Sequence, residues 1–451
     1  MKLIELREEM SKTKVIRPSK KYNVSLEISK EPIIIGITGS KGKSSVAFLI
    51  HEYLKRLGKK SVLYSSIKID SPVSFNDANE PVENPLRDEQ MLLDIANECI
   101  LYGAEYLVLE VNERALKNGY SKYIDFDVRV LTNVADGHNK DFYDETEYRN
   151  LKKSFLSDGL ESSTIIYGID NQEIYSSLQN TKAKNKKVFA SRYVAQLRGI
   201  SEDTIDYLLY SKAHPLDTLD GLHLNIRRNE AHEDFSTHLI MPYNALNILA
   251  AIATLDVLGV YDYKLFQTFI QDLTIPGRAE KTLINGITVV TNFSIMPDLE
   301  ILKGYLNKSG SGKMIVVTGA VGLNFKTWKK DFSEQIYQRE RSNALTFTFN
   351  YINKHADIVY LTQNDNASLN LDELLNTQER LLSKDKHVFK IRNRADAIKQ
   401  AISNANPGDI VLISGRGNRR VLCDSYDSVL LILDQAIVDE TKKELGELHV
   451  L

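Results

Sequence analysis

The sequence predicts an α/β protein: a central domain with a mostly parallel, doubly wound sheet, then a second, Rossmann-like α/β domain. Three observations lead there. From Ile33 to Val134, short β-branched runs alternate with stretches of helical apolar spacing. A proline–glycine break, TIPGRAE at Thr274–Glu280, then interrupts the chain. Beyond the break the same alternation resumes.

Ile33–Ile37 reads as a strand, and Val46, Leu49, Ile50, Tyr53, Leu54 and Leu57 follow at helical spacing. Val62–Ser65 is a second strand. Met91, Leu92, Ile95, Ala96 and Cys99 line one face of a helix. YLVLEV (Tyr106–Val111) and VRVLTNV (Val128–Val134) are continuous apolar runs of the kind buried in parallel sheets. From Lys187 to Met241 the pattern weakens to short alternation, which predicts a small antiparallel excursion. A helix with Ala245, Ile248, Leu249, Ile252 and Leu255 on one face comes next. After the break, MIVVTGAVG (Met314–Gly322), ADIVYLTQN (Ala356–Asn364), KHVFKI (Lys386–Ile391) and DIVLISGRG (Asp409–Gly417) supply the second domain's strands. The expected division is a short extension at 1–32, a central domain at 33–275 and a C-terminal domain at 276–451. The extension is too short for a core of its own.

Composition narrows the function classes. The 451 residues carry a net charge of −3, so no nucleic-acid affinity is expected. Two cysteines, Cys99 and Cys423, do not make a disulfide framework and fit a reducing compartment. MKLIELREEM lacks a signal-peptide core, and no apolar run approaches the roughly 20 residues of a membrane span. A cytoplasmic protein is expected.

The chemistry concentrates at GITGSKGKSS, Gly36–Ser45, between the first strand and the first helix. Ile37 stands where the long phosphate-loop pattern has glycine, so the loop has the shortened form G-x-x-G-K-S. Gly39 and Gly42 let the backbone approach phosphate oxygens. The helix N-terminus favours an anion, Lys43 can reach terminal phosphates and the Ser44 hydroxyl can ligate Mg²⁺. The alternative is an ordinary Gly/Ser-rich turn before a helix.

That loop is followed, in order, by LEV, LTNVADGH, YRNLK, YNALN and PGRAE. The series resembles the Mur ligase superfamily, ATP-dependent amide-forming enzymes, and is most similar to the branch that adds the third amino acid to the muramoyl peptide. The resemblance runs from about Ile33 to Asn418. It implies that Gly39, Ser40, Lys41, Gly42, Lys43, Ser44 and Ser45 cradle ATP, with Lys43 and Ser44 holding its phosphates and Mg²⁺. It implies that Glu110 ligates Mg²⁺ and that His138 helps to hold a second ion. Lys152 matches a lysine that many members carbamylate, turning an ammonium into an anionic oxygen ligand. Asn244 and Asn247 match asparagines near the adenine, and Arg278 an arginine near the nucleotide. Each has a plainer reading: a solvated strand-end acid, a structural histidine, a surface lysine beside Lys153, helix polar-face residues, a hinge salt bridge.

Five departures qualify the resemblance. The motif D-Y-A-H-x-P appears as NFSIMPD, with Asn292 and Ile295 in place of acid and histidine. The pair D-H is Gly137-His138, with Asp136 and Asp141 as the acids nearby. The signature D-N-P-R survives as Asp365 and Asn366 without its arginine, so diaminopimelate is not the expected amino acid. The motif G-K-G-H-E appears as GRGNRR, where Arg416, Arg419 and Arg420 either grip a carboxylate or form a basic loop in water. Fifth, the murein enzymes carry a UDP-sugar-binding domain that residues 1–32 cannot form, so the acceptor is expected to lack UDP or to be held elsewhere. Folate polyglutamylating enzymes and poly-γ-glutamate synthases also lack that domain, but the former usually carry D-x-x-H-N-P, which NFSIMPD does not match.

The resulting expectation is a ligase with ATP and Mg²⁺ as cofactors. Its partners are a small-molecule carboxylate acceptor and an amino acid, with closure about residues 274–280 shielding the intermediate. Two other readings stay open. One is a Mur-like protein that has lost catalysis and serves as a binding subunit, motivated by Asn292 and Ile295. The other is an unrelated P-loop kinase.

Overall fold

In the computed structural model the described residues are 32–71, 86, 89–134, 145–157, 161–169, 175–176, 181–210, 219–319, 334–365, 369–419, 421–423, 429–431 and 433–447. His138, Asn366 and Arg420, with Asp136, Gly137 and Asp141, lie outside them.

The first sheet has ten strands: β1 (Ile33–Thr38), β2 (Ser61–Tyr64), β3 (Ile69–Asp70), β4 (Tyr106–Glu110), β5 (Val128–Leu131), β6 (Thr164–Gly168), β7 (Asn185–Ser191), β8 (Tyr207–Leu209), β9 (Leu222–Arg228) and β10 (Ala231–Thr237). Their spatial order is β10-β9-β8-β7-β6-β5-β1-β4-β2-β3. β1 is flanked in parallel by β4 and β5, with Ile37 opposite Glu110 and Thr38 opposite Leu131. The chain thus leaves β1 toward one side of the sheet and returns to pair on the other. The crevice outside the carboxyl ends of β1, β4 and β5 is where open α/β sheets bind ligands.

Alternation at β1 shows why these residues form a central strand. Ile34 packs with Val62, Leu107 and Leu109 on one face, and Ile35 and Ile37 pack with Leu63 and Val108 on the other. Both faces are covered, so the run is continuously apolar. The helices Lys43–Arg56 and Tyr243–Val257 lie together on the second face, burying Leu49 and Ile50 with Ile248, Leu249 and Ile252.

The antiparallel excursion is smaller than the sequence predicts. β7 and β8 pair in parallel with the strands before them, and antiparallel pairing starts only at β8–β9 and β9–β10. The polar residues of NKKVFAS that weaken the pattern sit at the strand's exposed start, while Val188, Phe189 and Ala190 are buried.

The second sheet comprises β11 (Glu280–Ile284), β12 (Ile287–Asn292), β13 (Met314–Thr318), β14 (Ile358–Leu361), β15 (His387–Lys390) and β16 (Ile410–Ser414), ordered β11-β12-β16-β13-β14-β15. Only β11 is antiparallel. The sequence reading missed the β11–β12 hairpin. Its turn is Asn285-Gly286, both at positive φ, the dipeptide preferred in tight hairpins. Among the described residues, no helix is long and apolar enough to cross a membrane.

Candidate active site

The loop from Gly39 to Gly42 joins the end of β1 to the helix Lys43–Arg56. Gly42 is that helix's N-cap with φ of 82°, a left-handed conformation, and no side chain caps the helix. The first-turn N–H groups therefore face the loop's own crevice. A Cβ at Gly42 would stand 2.2 Å from Asn247 Oδ1, and one at Gly39 would stand 2.0 Å from Thr132 Oγ1. Both glycines are required by close approach.

The loop is clamped from the end of β5. Ser40 N–H donates to the Asn133 carbonyl (2.9 Å), Lys41 N–H to Asn133 Oδ1 (3.0 Å), and Thr132 Oγ1 to the Lys41 carbonyl (2.5 Å). Ser40 Oγ and Tyr148 OH lie 2.7 Å apart. The TN dipeptide at Thr132–Asn133 thus holds the loop open as a preformed cradle, a role the sequence reading did not assign.

Lys43 Nζ curls over the loop onto the Gly39 carbonyl (2.8 Å) and lies 3.6 Å from Glu113 Oε1. Ser44 Oγ is 2.8 Å from Ser66 Oγ. Glu110, 4% exposed, accepts from Ser65 Oγ (2.9 Å) and from Ser66 N–H (2.8 Å). Arg278 completes the group by donating to Ser66 Oγ (3.1 Å). Burial pushes its guanidinium down to about 10, with Glu110 opposing the shift. Ser66 is therefore the shared node of Ser44, Glu110 and Arg278, although these lie far apart in sequence. Ser45 is buried within the helix, and Lys41 reaches outward to Ser294 Oγ at 3.3 Å.

Lys152 is not a surface lysine. Its side chain is fully buried and donates to Thr38 Oγ1 and Glu113 Oε1, each at 3.0 Å. Burial lowers its ammonium to about 8, with Glu113 pulling the other way. Burial alone would raise the Glu113 carboxyl, but Lys43 and Lys152 outweigh it and hold that group well below the usual carboxylate range. Glu113, like Ser66, Thr132 and Asn133, is a residue that sequence reasoning missed. The available signal was its position, three residues beyond Glu110, where the chain leaves that buried strand and opens the next helix.

Asn244 and Asn247 are both buried. Asn244 Nδ2 donates to the Ile240 carbonyl (2.7 Å) and its Oδ1 accepts from Asn247 Nδ2 (3.0 Å), which aims Asn247 Oδ1 at Gly42. In the second domain Arg416 is fully buried and grips Asp365 Oδ1 at 2.7 Å, while Arg419 reaches Asp365 Oδ2 at 3.3 Å. The carboxylate that Arg416 holds is the chain's own. The guanidinium groups of Arg278 (4.9 Å) and Arg419 (4.6 Å) both stand over the Phe293 ring. At the altered motif, Asn292 bonds Asp298, and Tyr243 OH donates to Asp298 Oδ1 and Oδ2 at 3.1 and 3.0 Å. Ile295 is packed in the second domain's core.

Comparison with known proteins supplies the deciding observation. Residues 37–255 match the Mur ligase middle domain, and residues 306–417 match the Mur ligase, glutamate ligase domain. The chain belongs to the Mur ligase family. It is 25% identical over 392 residues to UDP-N-acetylmuramoyl-L-alanyl-D-glutamate–2,6-diaminopimelate ligase of Caldanaerobacter subterraneus, covering 85% of this chain and 73% of the relative. It is 24% identical over 401 residues to UDP-N-acetylmuramyl-tripeptide synthetase of Deinococcus radiodurans, covering 86% and 74%. Among solved structures, MurF ligase from Thermotoga maritima in complex with ADP aligns at TM-score 0.58 with 17% identity, over 92% of this chain and 81% of that one. Folylpolyglutamate synthase from Thermotoga maritima aligns at 0.57 with 16% identity, over 86% and 87%. These structures share the fold. The first match spans nearly all of the ten-stranded sheet with Gly39–Ser44 and Glu110, the second spans β13–β16, and Arg278 and the β11–β12 hairpin fall between the two matched stretches.

Proposed function

We propose that the chain is an ATP-dependent, ADP-forming ligase that joins a small-molecule carboxylate to the amine of an amino acid. The observation that carries this reading is the convergence of Lys43, Ser44, Glu110 and Arg278 on one glycine-lined crevice, tied through Ser66. The acceptor carboxylate attacks the γ-phosphorus of ATP, the bond to the β-γ bridging oxygen breaks, and ADP leaves with that electron pair. The amine then attacks the acyl phosphate, phosphate departs, and one proton is lost from nitrogen. The chain's contribution is positioning and charge neutralisation by Lys43, the loop N–H groups and Arg278.

The residues present fit Mg²⁺. The Ser44 hydroxyl and the Glu110 carboxylate are oxygen donors, and both are held in place by Ser66. A bound ion would offset negative charge on the β- and γ-phosphate oxygens. Asn244 and Asn247 support the loop through Gly42 in this reading. The acceptor is read as peptide-like, after the relatives named for acting on UDP-N-acetylmuramoyl peptides. Asp365, with Arg416 and Arg419, is read as lining the amino-acid side of the crevice.

The test is product analysis with ATP, Mg²⁺ and pooled amino acids, with and without a metabolite fraction. Substrate-dependent ADP together with a mass gain of one amino acid minus water is expected. ADP formed with a stable phosphorylated product and no amide would instead make it a kinase. No substrate-dependent ADP with any pool would favour a binding subunit, the reading that Asn292 and Ile295 motivate.

A further inference from the structure

The turn Ser65–Lys68, which follows β2, touches both sheets' ligand sides. Ser65 Oγ and Ser66 N–H donate to Glu110, Ser66 Oγ lies 2.8 Å from Ser44 Oγ, and Arg278 donates to Ser66 Oγ. The next carbonyl, that of Ile67, accepts from Asn418 Nδ2. Asn418 belongs to the second domain, in the loop after β16. The same loop carries Arg416 and Arg419, which grip Asp365 just beyond β14. Both turns are fixed internally. Ser65 N–H donates to the Lys68 carbonyl (3.1 Å), Ile67 N–H donates to Ser65 Oγ (3.3 Å), and the Ile67 side chain is buried in the first domain's core. Arg419 N–H donates to the Arg416 carbonyl (3.1 Å). A Cβ at Gly277 would stand 2.1 Å from Asn418 N, so the backbone beside Arg278 is packed directly against this loop.

We propose that Asn418 is a positioning residue for the reaction, joining the loop on the amino-acid side to the turn on the nucleotide side through the Ile67 carbonyl. The inference rests on the ligase reading, with Asp365 on the amino-acid side. The path of contacts runs from Asp365 to Arg416 and Arg419, then Asn418, Ile67 and Ser66, and ends at Ser44 and Glu110. Coupling of this kind needs rigid elements with discrete arrangements, here two fixed turns that are either joined or parted. A nucleotide shifts that balance only by contacts made in the joined arrangement, and Ser44 and Arg278 supply them by meeting at Ser66. The chemistry rewards the joined arrangement, because an acyl phosphate has to meet the amine before water does. Where the family motif G-K-G-H-E has histidine, this chain has Asn418, and either side chain can donate an N–H. Asn418 acts through Ile67 and not on the reacting atoms.

The experiment uses the full chain, with Mg²⁺ and the β,γ-methylene analogue of ATP as the probe. Amide hydrogen exchange in the segments 61–70 and 409–419 is followed by mass spectrometry, with and without the probe, in wild type, Asn418→Ala and Asn418→His. In wild type the probe is expected to slow exchange in both segments. Asn418→Ala should keep the protection of 61–70 and lose about 5-fold or more of the protection of 409–419. Asn418→His should restore it. Without the probe the three chains should exchange alike at 409–419, since β16 and the Arg416–Asp365 pair hold that segment independently. Faster exchange there in Asn418→Ala before any probe is added would mark a merely structural residue and overturn the proposal. Equal protection of 409–419 in wild type and Asn418→Ala also overturns it, as does a probe that protects only 61–70 in wild type, and both leave the ligase reading standing. No protection of either segment in wild type overturns the proposal and the nucleotide site with it.

Discussion

Asn247 Oδ1 occupies the space that a side chain at Gly42 would need, 2.2 Å from the position of a Cβ there. A helix of the first domain, 200 residues downstream in sequence, thus sets the shape of the phosphate loop. Gly42→Ala faces two penalties: the left-handed φ of 82°, about 1–2 kcal/mol for a residue with a Cβ, and the collision with Asn247. Nucleotide affinity is expected to fall about 10-fold or more. Adding Asn247→Ala should recover part of the loss, since the collision goes and the φ strain stays. Calorimetric titration of ADP into the two single variants and the double variant checks this; strict additivity would contradict the contact.

Lys43→Ala should slow ADP formation by roughly 10²–10³ while leaving the melting temperature nearly unchanged. The Lys43 side chain bonds the loop carbonyls and faces the crevice rather than the core. Losing one positioned charge at a developing phosphoryl anion costs about 3–4 kcal/mol of transition-state stabilisation, or roughly 10²–10³ in rate. Steady-state ADP release with thermal melts measures both; full activity would remove the loop from the mechanism.

Asp298 gives stability a pH dependence of unusual sign. Burial raises its carboxyl from 3.8 to about 7, with Tyr243 and Lys41 opposing the shift. Between those values the folded chain binds more protons than the unfolded one, so stability falls as pH rises from about 4 to 7 and levels off above. A three-unit difference corresponds to at most about 4 kcal/mol. Melting temperatures of wild type and Asp298→Asn at pH 5.5 and 8.0 test it. The variant should lose part of the decline across this range, and a parallel pair of profiles would contradict the assignment.

Arg394 and Asp434 form a fully buried bidentate pair, Nε to Oδ1 at 2.8 Å and an Nη to Oδ2 at 2.7 Å, joining two helices of the second domain. Arg394 also donates to the Ser414 carbonyl at the end of β16 (3.0 Å). Arg394→Met leaves Asp434 buried without its cation and should destabilise that domain by about 3–5 kcal/mol. The urea midpoint should drop accordingly. Arg394→Met with Asp434→Leu should be less unstable than Arg394→Met alone, because the isolated charge is then gone.

Much of this was legible in the chain itself. β1, the glycine turn and the following helix stand at the predicted positions because burial on both faces forces a continuous apolar run and the turn needs residues without side chains. The ordered motifs pointed to the family that the domain matches then showed. Parallel pairing at β7 and β8 was less legible, since pairing direction is set by connections and not by side-chain alternation.

By itself, then, the sequence determined the α/β class, the phosphate loop and the residue types gathered there. Local spacing and glycine chemistry act over a few residues and can be read in order along the chain. Tertiary structure alone decided the partners. It put Ser66 at the junction of Ser44, Glu110 and Arg278, turned Arg416 inward onto Asp365, and buried Lys152 between Thr38 and Glu113. Those contacts join residues brought together by the closing of strands and domains, and charge pairing in a buried site depends on that distance, not on separation along the chain.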